Sequence, residues 1–310
     1  MSAGPGSAAW RAALAALTCY LIWGLVPLYW RPLAAVDAHE LIAHRLVWSF
    51  VFLAPLLAWL GGGREVVAAL RSPRSLGLNL ASGLLLTANW LVYVWAVNSG
   101  HVIESSLGYF LVPLVNVALG RFVLHEQLRP GQWLAIALAA AGVTLQLVQL
   151  GRLPWIALAL AATFGTYGLL RKRSELGPLT GLTVETLLLM PLAAGFLLWR
   201  AAAGTGALGH APALTQGLIL CAGVVTAVPL LLFAYGARRL RLTTLGLLQY
   251  AAPTVQLALG VWVYRETFDR ARAQSFGLIW IALALYTADA LWRQRRRGGL
   301  NPLSPPAVAS

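Results

Sequence analysis

His44, Arg45 and Glu185 are ionisable residues inside otherwise apolar stretches of this chain. His44 and Arg45 lie about one turn into the second such stretch, and Glu185 about two turns into the seventh. A charge at membrane depth costs at least about 2.5–3.5 kcal/mol on insertion scales, so it normally faces a bundle interior and has a partner there. Arg45 could hold an anionic substrate group or neutralise a buried carboxylate. Glu185 could take up and release a proton. The competing reading for each is a fixed ion pair between helices. Glu104 heads the fourth stretch, where a carboxylate suits the positive end of a helix dipole. Asp289 belongs near the interface, beside the arginine cluster that begins at Arg293.

Neutral polar groups recur in register. "PLVNVALGRFVLHE" (Pro113 to Glu126) and "PTVQLALGVWVYRE" (Pro253 to Glu266) agree at seven of fourteen positions and lie 140 residues apart. Tyr109, Pro113, Asn116 and Gly120 share one helix face by their spacing, and Gln249, Pro253, Gln256 and Gly260 make the same stripe. Each proline lacks an N–H and frees the carbonyl four residues earlier. That carbonyl, of Tyr109 or Gln249, must face a neighbouring helix or a wet cavity. The expectation is two kinked, polar-striped helices lining a central cavity, against the plainer reading of interhelical packing. Trp48, Trp90, Trp95, Tyr109 and Tyr250 fall inside apolar stretches, and Asn89 and Tyr93 share a face. Such an aromatic wall with few polar groups suits a small, partly apolar organic ligand. Trp10, Trp30, Trp59 and Trp292 fall near stretch ends, in the interfacial belt. Glu126 and Glu266 close their helices at the negative dipole end, where loop-fixing ion pairs to Arg129 and to Arg265 or Arg270 are expected, or gate latches.

Several chemistries are not encoded. There is no HExxH or GxSG-type motif, so an intramembrane enzyme using His44 with Glu104 or Glu185 is the weaker alternative. No "GxxxxGK[ST]" loop occurs, and Lys172 is the only lysine. Cys19 and Cys221 lack metal spacing and read as small core residues. Neither a metal nor an organic cofactor is expected. The net charge of +13 comes almost wholly from arginines in short clusters, without the basic face that nucleic acid would require.

The elements that must position these residues follow from composition. Of 310 residues, 59% are hydrophobic and only 11% charged, and the apolar residues come in long runs. The chain therefore reads as an all-α polytopic membrane protein. Charges, Pro and Gly divide it into ten spans, near residues 10–30, 39–60, 75–98, 104–124, 130–150, 154–170, 179–199, 214–235, 243–264 and 274–292. With the amino terminus inside, fifteen basic residues fall on the inner side and six on the outer, which puts both termini in the cytoplasm. The loop with Arg265, Arg270 and Arg272 departs from that pattern. The repeated segments occupy spans four and nine, and "YLIWG" (from Tyr20) in span one resembles "FGTYG" (from Phe164) in span six. A five-helix repeat is odd, so the halves, 1–150 and 151–295, enter the bilayer in opposite senses. Secondary transporters are commonly built this way, with the solute site at the seam. Residues 296–310 read as a disordered cytoplasmic tail.

Five stretches carry a family resemblance: "YLIWGLVPLYW", "HRLVWSF", "NWLVYVWAV", "ESSLGYFLVPLVN" and "TTLGLLQYAAPT". With them the chain resembles the RarD family of EamA-type permeases, in the drug/metabolite transporter superfamily, over about residues 10–293. That resemblance implies ten helices, a bacterial inner-membrane location and transport of small organic solutes. The family is associated by name with chloramphenicol sensitivity. The combined expectation is a permease working by alternating access, most simply an exporter, with protons as a candidate coupling ion and a passive channel as the other alternative. His44, Arg45, Trp48, Asn89, Trp90, Tyr93, Tyr109, Asn116, Gln249, Tyr250 and Gln256 are the candidate solute contacts, Glu185 the candidate coupling residue. Pro113, Pro253, Glu126 and Glu266 are candidate kinks and gates.

Overall fold

A computed structural model describes residues 5–99, 101–150, 153–263, 265 and 270–296. Twelve α-helices run through them: α1 (Pro5–Trp30), α2 (Ala38–Trp59), α3 (Gly63–Arg71), α4 (Pro73–Asn98), α5 (Val102–Phe122), α6 (Pro130–Leu150), α7 (Trp155–Arg173), α8 (Pro178–Ala202), α9 (Ala213–Arg239), α10 (Leu242–Gln249), α11 (Ala251–Trp262) and α12 (Arg270–Arg296). Among the described residues there is no strand. Six helical segments, in α1, α2, α4, α6, α8 and α9, have the length and mean hydropathy to cross a bilayer by themselves. Their outer faces expose Leu192, Leu198, Trp199 and Leu214, an apolar surface that water would penalise and lipid does not. The expected tail falls, apart from Arg296, outside the described residues, as does Glu266.

Local chemistry sets several boundaries. The Asp37 carboxylate accepts from the N–H groups of His39 (3.0 Å) and Glu40 (3.2 Å) and so caps α2. Pro178 opens α8 at a position where its missing N–H costs nothing. Helix α3 was not expected; the sequence suggests a loop there. The stretch is too polar and too short to span, but it is amphipathic. It buries Ala69, exposes Arg64 and Arg71, and ties itself to α8 through Thr180, whose hydroxyl donates to Glu65 at 2.6 Å.

The helix pairs have a pattern. Helix α5 packs on α7 as α1 packs on α11 and α10; α1 packs on α9 as α4 packs on α7; α2 packs on α9 as α4 packs on α8. Helices α2 and α8, α6 and α12, and α5 and α10 pack on each other. Exchanging α1, α2, α4, α5 and α6 with α7, α8, α9, α10–α11 and α12, in that order, leaves this set of pairs unchanged. Finer features follow the same exchange. Gly24 of α1 lies so close to Val255 that a Cβ would collide with it, and Gly165 of α7 lies equally close to Val115. Both valines follow the repeated proline by two residues. His125 (φ 53°) and Arg265 (φ 58°), also 140 residues apart, are the described non-glycine residues in the left-handed region.

The repeated prolines act differently. Helix α5 continues through Pro113, whereas the counterpart helix breaks at Tyr250 into α10 and α11, three residues before Pro253. The Tyr250 N–H bonds back three residues to Leu247 at 3.2 Å, so the ladder tightens and stops there. The two kinked helices expected from sequence are thus one continuous helix and one broken one.

Candidate functional site

Arg45 lies on α2 with its guanidinium against two tryptophan rings, 3.7 Å from the Trp90 centroid and 4.9 Å from that of Trp30. Its Nε donates to Thr226 Oγ1 on α9 at 3.0 Å. Tyr29, Tyr93 and Tyr109 stand close enough to interact with its charge, and the Tyr93 and Tyr109 rings meet edge to face at 5.6 Å. Helices α1, α2, α4, α5 and α9 therefore converge on one cation with aromatic walls. Between it and α8 is a small cavity lined by Arg45, Ser49, Thr87, Trp90, Glu185 and Thr226, among others. Its volume is about 10 Å³, room for about one water. That pocket is nearly filled, whereas Arg45, Trp90, Tyr93 and Tyr109 each keep part of their surface accessible. Trp30, expected in the interfacial belt, packs against the Arg45 guanidinium.

Glu185 is on the opposite wall and is not a lone carboxylate. Its Oε1 accepts from Arg171 Nη1 at 3.1 Å and from the Ser82 hydroxyl at short range. Arg171, grouped in sequence with Lys172 and Arg173 as an interfacial basic run, is instead fully buried. Its Nη1 also reaches Asn79 Oδ1 at 3.5 Å. Asn79 lines a second, larger cavity of about 660 Å³, whose walls include Glu65, Arg74, Arg173 and Glu175. Glu185 thus lines the pocket beside Arg45, Asn79 lines the larger cavity, and Arg171 bridges the two side chains. Glu185 Oε2 and Arg171 Nη2 make no well-formed hydrogen bond, and the buried Tyr167 hydroxyl is a further polar group near enough to interact with the carboxylate.

The remaining candidates are tied up in packing. Asn116 Nδ2 donates to Gln249 Oε1 at 3.2 Å where α5 crosses α10, a crossing so close that a Cβ on Gly246 would meet the Pro113 carbonyl. Tyr250 donates to the Phe110 carbonyl (3.3 Å), and Gln256 to the Trp23 carbonyl (3.3 Å). Asn89 bridges to α7, donating to the Leu160 carbonyl at 2.9 Å and to Thr163 Oγ1 at 2.8 Å. The backbone of Trp48 abuts Gly223 of α9, and its indole N–H is buried without a partner. His44 turns away from Arg45 towards Glu40, with Nε2 3.6 Å from Oε1. Glu40 in turn holds Arg200 (3.0 Å) and the Ala207 N–H (2.5 Å), closing the far end of α8 onto α2. Cys221, expected in the core, is exposed on the apolar outer surface, while Cys19 is buried; both thiols are free.

Glu126 has a role its own helix does not suggest. It accepts from the N–H groups of Leu242 (2.7 Å) and Thr243 (3.1 Å) and from the Thr243 hydroxyl (2.7 Å). The carboxylate therefore caps α10, where the positive dipole end favours it. Glu104 does the same for α7, accepting from the Ile156 N–H at 2.9 Å. Glu126, for which the sequence suggests a loop-fixing ion pair to Arg129 or else a gate latch, serves as a cap between sequence-distant helices. Glu126→Ala lowers stability by about 1–2 kcal/mol, the cost of a lost cap, and Glu126→Gln recovers part of it by keeping an acceptor. Thermal unfolding in detergent reads the difference; equal melting of all three proteins contradicts the cap.

A bundle of apolar helices that holds an aromatic-walled cation and a buried ion pair in its interior fits a membrane permease. Residues 10–148 match the EamA-like transporter family. An uncharacterized transporter of Pseudomonas aeruginosa is 48% identical over 91% of this chain and 94% of its own length. The protein RarD of Escherichia coli is 42% identical over 91% of this chain and 96% of its own. A solved crystal structure at 22% identity matches with a TM-score of 0.67 over 90% of this chain and 98% of its own, and so shares the fold. The chain belongs to the RarD family of EamA-type permeases, a bacterial multi-pass inner-membrane family of the drug/metabolite transporter kind.

Proposed function

We propose that the protein is a secondary transporter, working as an exporter, that carries a small organic solute across the inner membrane by alternating access. The moving parts are two inverted five-helix halves, 1–150 and 151–295, with ten spans in all and both termini in the cytoplasm. The exchange symmetry of the helix pairs and the paired left-handed residues support that division. The observation that carries the reading is the buried Arg171–Glu185 pair, whose Glu185 lines the small pocket beside Arg45 and whose partner Asn79 lines a vestibule of about 660 Å³. Parting of that pair joins the vestibule to the pocket beside Arg45, and on this reading the pair is the gate. Protonation of Glu185 releases Arg171, so the same pair couples opening to a proton. The caps at Glu126 and Glu104 hold α10 and α7 to their partners while the gate works.

Proteoliposomes test this. A transporter accumulates solute against its gradient when a pH gradient is imposed; a channel does not, and an enzyme returns altered solute. For Glu185→Gln, compared at equal amounts of reconstituted protein, transport loses its pH dependence and the imposed gradient no longer drives accumulation. An unchanged pH profile removes Glu185 from coupling.

A further inference from the structure

We propose that the transported solute carries a carboxylate, gripped by Arg45, on a flat apolar or aromatic body; this rests on the transporter reading above. The argument begins with charge. Arg45 has no carboxylate within ion-pair distance among the described residues. The nearby acids are committed elsewhere: Glu40 to Arg200 and the Ala207 N–H, Glu185 to Arg171 and Ser82, and Glu104 to the start of α7. The other polar groups lining the pocket (Ser49, Thr87, Thr186 and Thr226) are neutral. Glu185 and Arg171 cancel, so the pocket bears one uncompensated positive charge.

A cation inside a bundle at membrane depth without a counter-charge is costly to hold even where, as at Arg45, part of its surface stays accessible. Cation–π contact with Trp30 and Trp90 offsets some of that cost but supplies no negative charge. The geometry also leaves a docking edge. Both tryptophans face the guanidinium and Nε is bonded to Thr226. The donors at the two terminal nitrogens form the fork that matches a carboxylate bidentately. An anion that comes and goes is the counter-charge such a site lacks. The surrounding aromatic rings of Trp90, Tyr93 and Tyr109 then select a flat apolar remainder over a strongly hydrated one.

Phenylacetate, its isosteric neutral amide phenylacetamide, and phenethylammonium are the probes, titrated into purified full-length protein and read by tryptophan quenching and thermal shift. Phenylacetate binds at least tenfold more tightly than the amide, and phenethylammonium does not bind. Arg45→Gln brings the anion and amide within twofold of each other, whereas Arg45→Lys keeps the preference for the anion at lower affinity. A purely structural Arg45 lowers the melting temperature of these variants without altering charge preference. The proposal is overturned if the wild type binds the amide as well as the anion, if it binds neither, or if Arg45→Gln keeps the preference. Acetate or chloride competing as well as phenylacetate overturns the apolar-body half of the claim. Flux separates the two readings. A charge preference in binding with no carrier-type transport of phenylacetate sinks the transporter reading and leaves the anion site. Transport indifferent to charge sinks the anion site alone.

Discussion

Glu185→Ala lowers unfolding free energy by about 3–5 kcal/mol, the typical effect of removing one partner of a buried ion pair. Arg171 is fully buried, and its one charge-bearing contact is Glu185 at 3.1 Å. Alanine leaves that guanidinium with Asn79 at 3.5 Å as its remaining hydrogen-bond acceptor. The Ser82 hydroxyl loses its short contact with the carboxylate at the same time. The double variant Glu185→Ala/Arg171→Met removes the orphaned charge and fills much of its volume, so it recovers most of the loss. Glu185→Gln falls between, because its amide oxygen still accepts from Ser82 and Arg171. Equilibrium unfolding in mixed micelles measures the series. A single variant as stable as the wild type, or a double variant no better than the single, would falsify the buried pair as a stabilised unit.

Gly223→Val is expected to cost about 3 kcal/mol, at the upper end of over-packing penalties. Gly223 on α9 faces the backbone of Trp48 and Ser49 on α2, and any Cβ there would run into the Trp48 carbonyl. A backbone cannot swing aside as a flexible side chain can, so the helices must part. The Ser49 hydroxyl, which donates to the Gly223 carbonyl at 3.3 Å, loses its acceptor as they do. Gly223→Ala sets helix propensity, worth up to about 1 kcal/mol in favour of alanine, against the same clash, and the clash wins. Because α2 carries Arg45 and α9 carries Thr226, either variant also separates the guanidinium from its bonded hydroxyl. Transport therefore falls further than stability alone accounts for. Melting temperatures and flux on reconstituted variants check both statements; a fully stable Gly223→Val contradicts the close crossing.

The class of fold was plain from composition, because long apolar runs with few charges have one helical solution in lipid. Arg45 and Glu185 stood out for the same reason: a charge in an apolar run is conspicuous. Their partners were not. Arg171 sits in "RKR", which reads as a topology signal, and only the fold turns its side chain inwards while Lys172 reaches the carbonyls of Ala237 and Leu240. Asn79 and Ser82 are small polar residues that glycine-rich membrane helices carry routinely, so nothing marked them. Trp30 looked interfacial because it ends α1; its ring reaches Arg45 only because α2 folds back beside it. The prolines at 113 and 253 suggested a pair of kinked helices, and the helix breaks only ahead of the second. Proline removes the same hydrogen bond at each site, and tertiary contacts decide whether the helix tolerates the loss. Glu126 shows the same limit: its capping target lies 116 residues away in the chain, at Leu242.

The caps supplied by Glu104 and Glu126 have a consequence for biogenesis. Each carboxylate is synthesised before the helix start it serves, by 52 residues to Ile156 and by 116 residues to Leu242. Neither α7 nor α10 therefore starts on its final cap until chain made much earlier has stayed within reach in the bilayer.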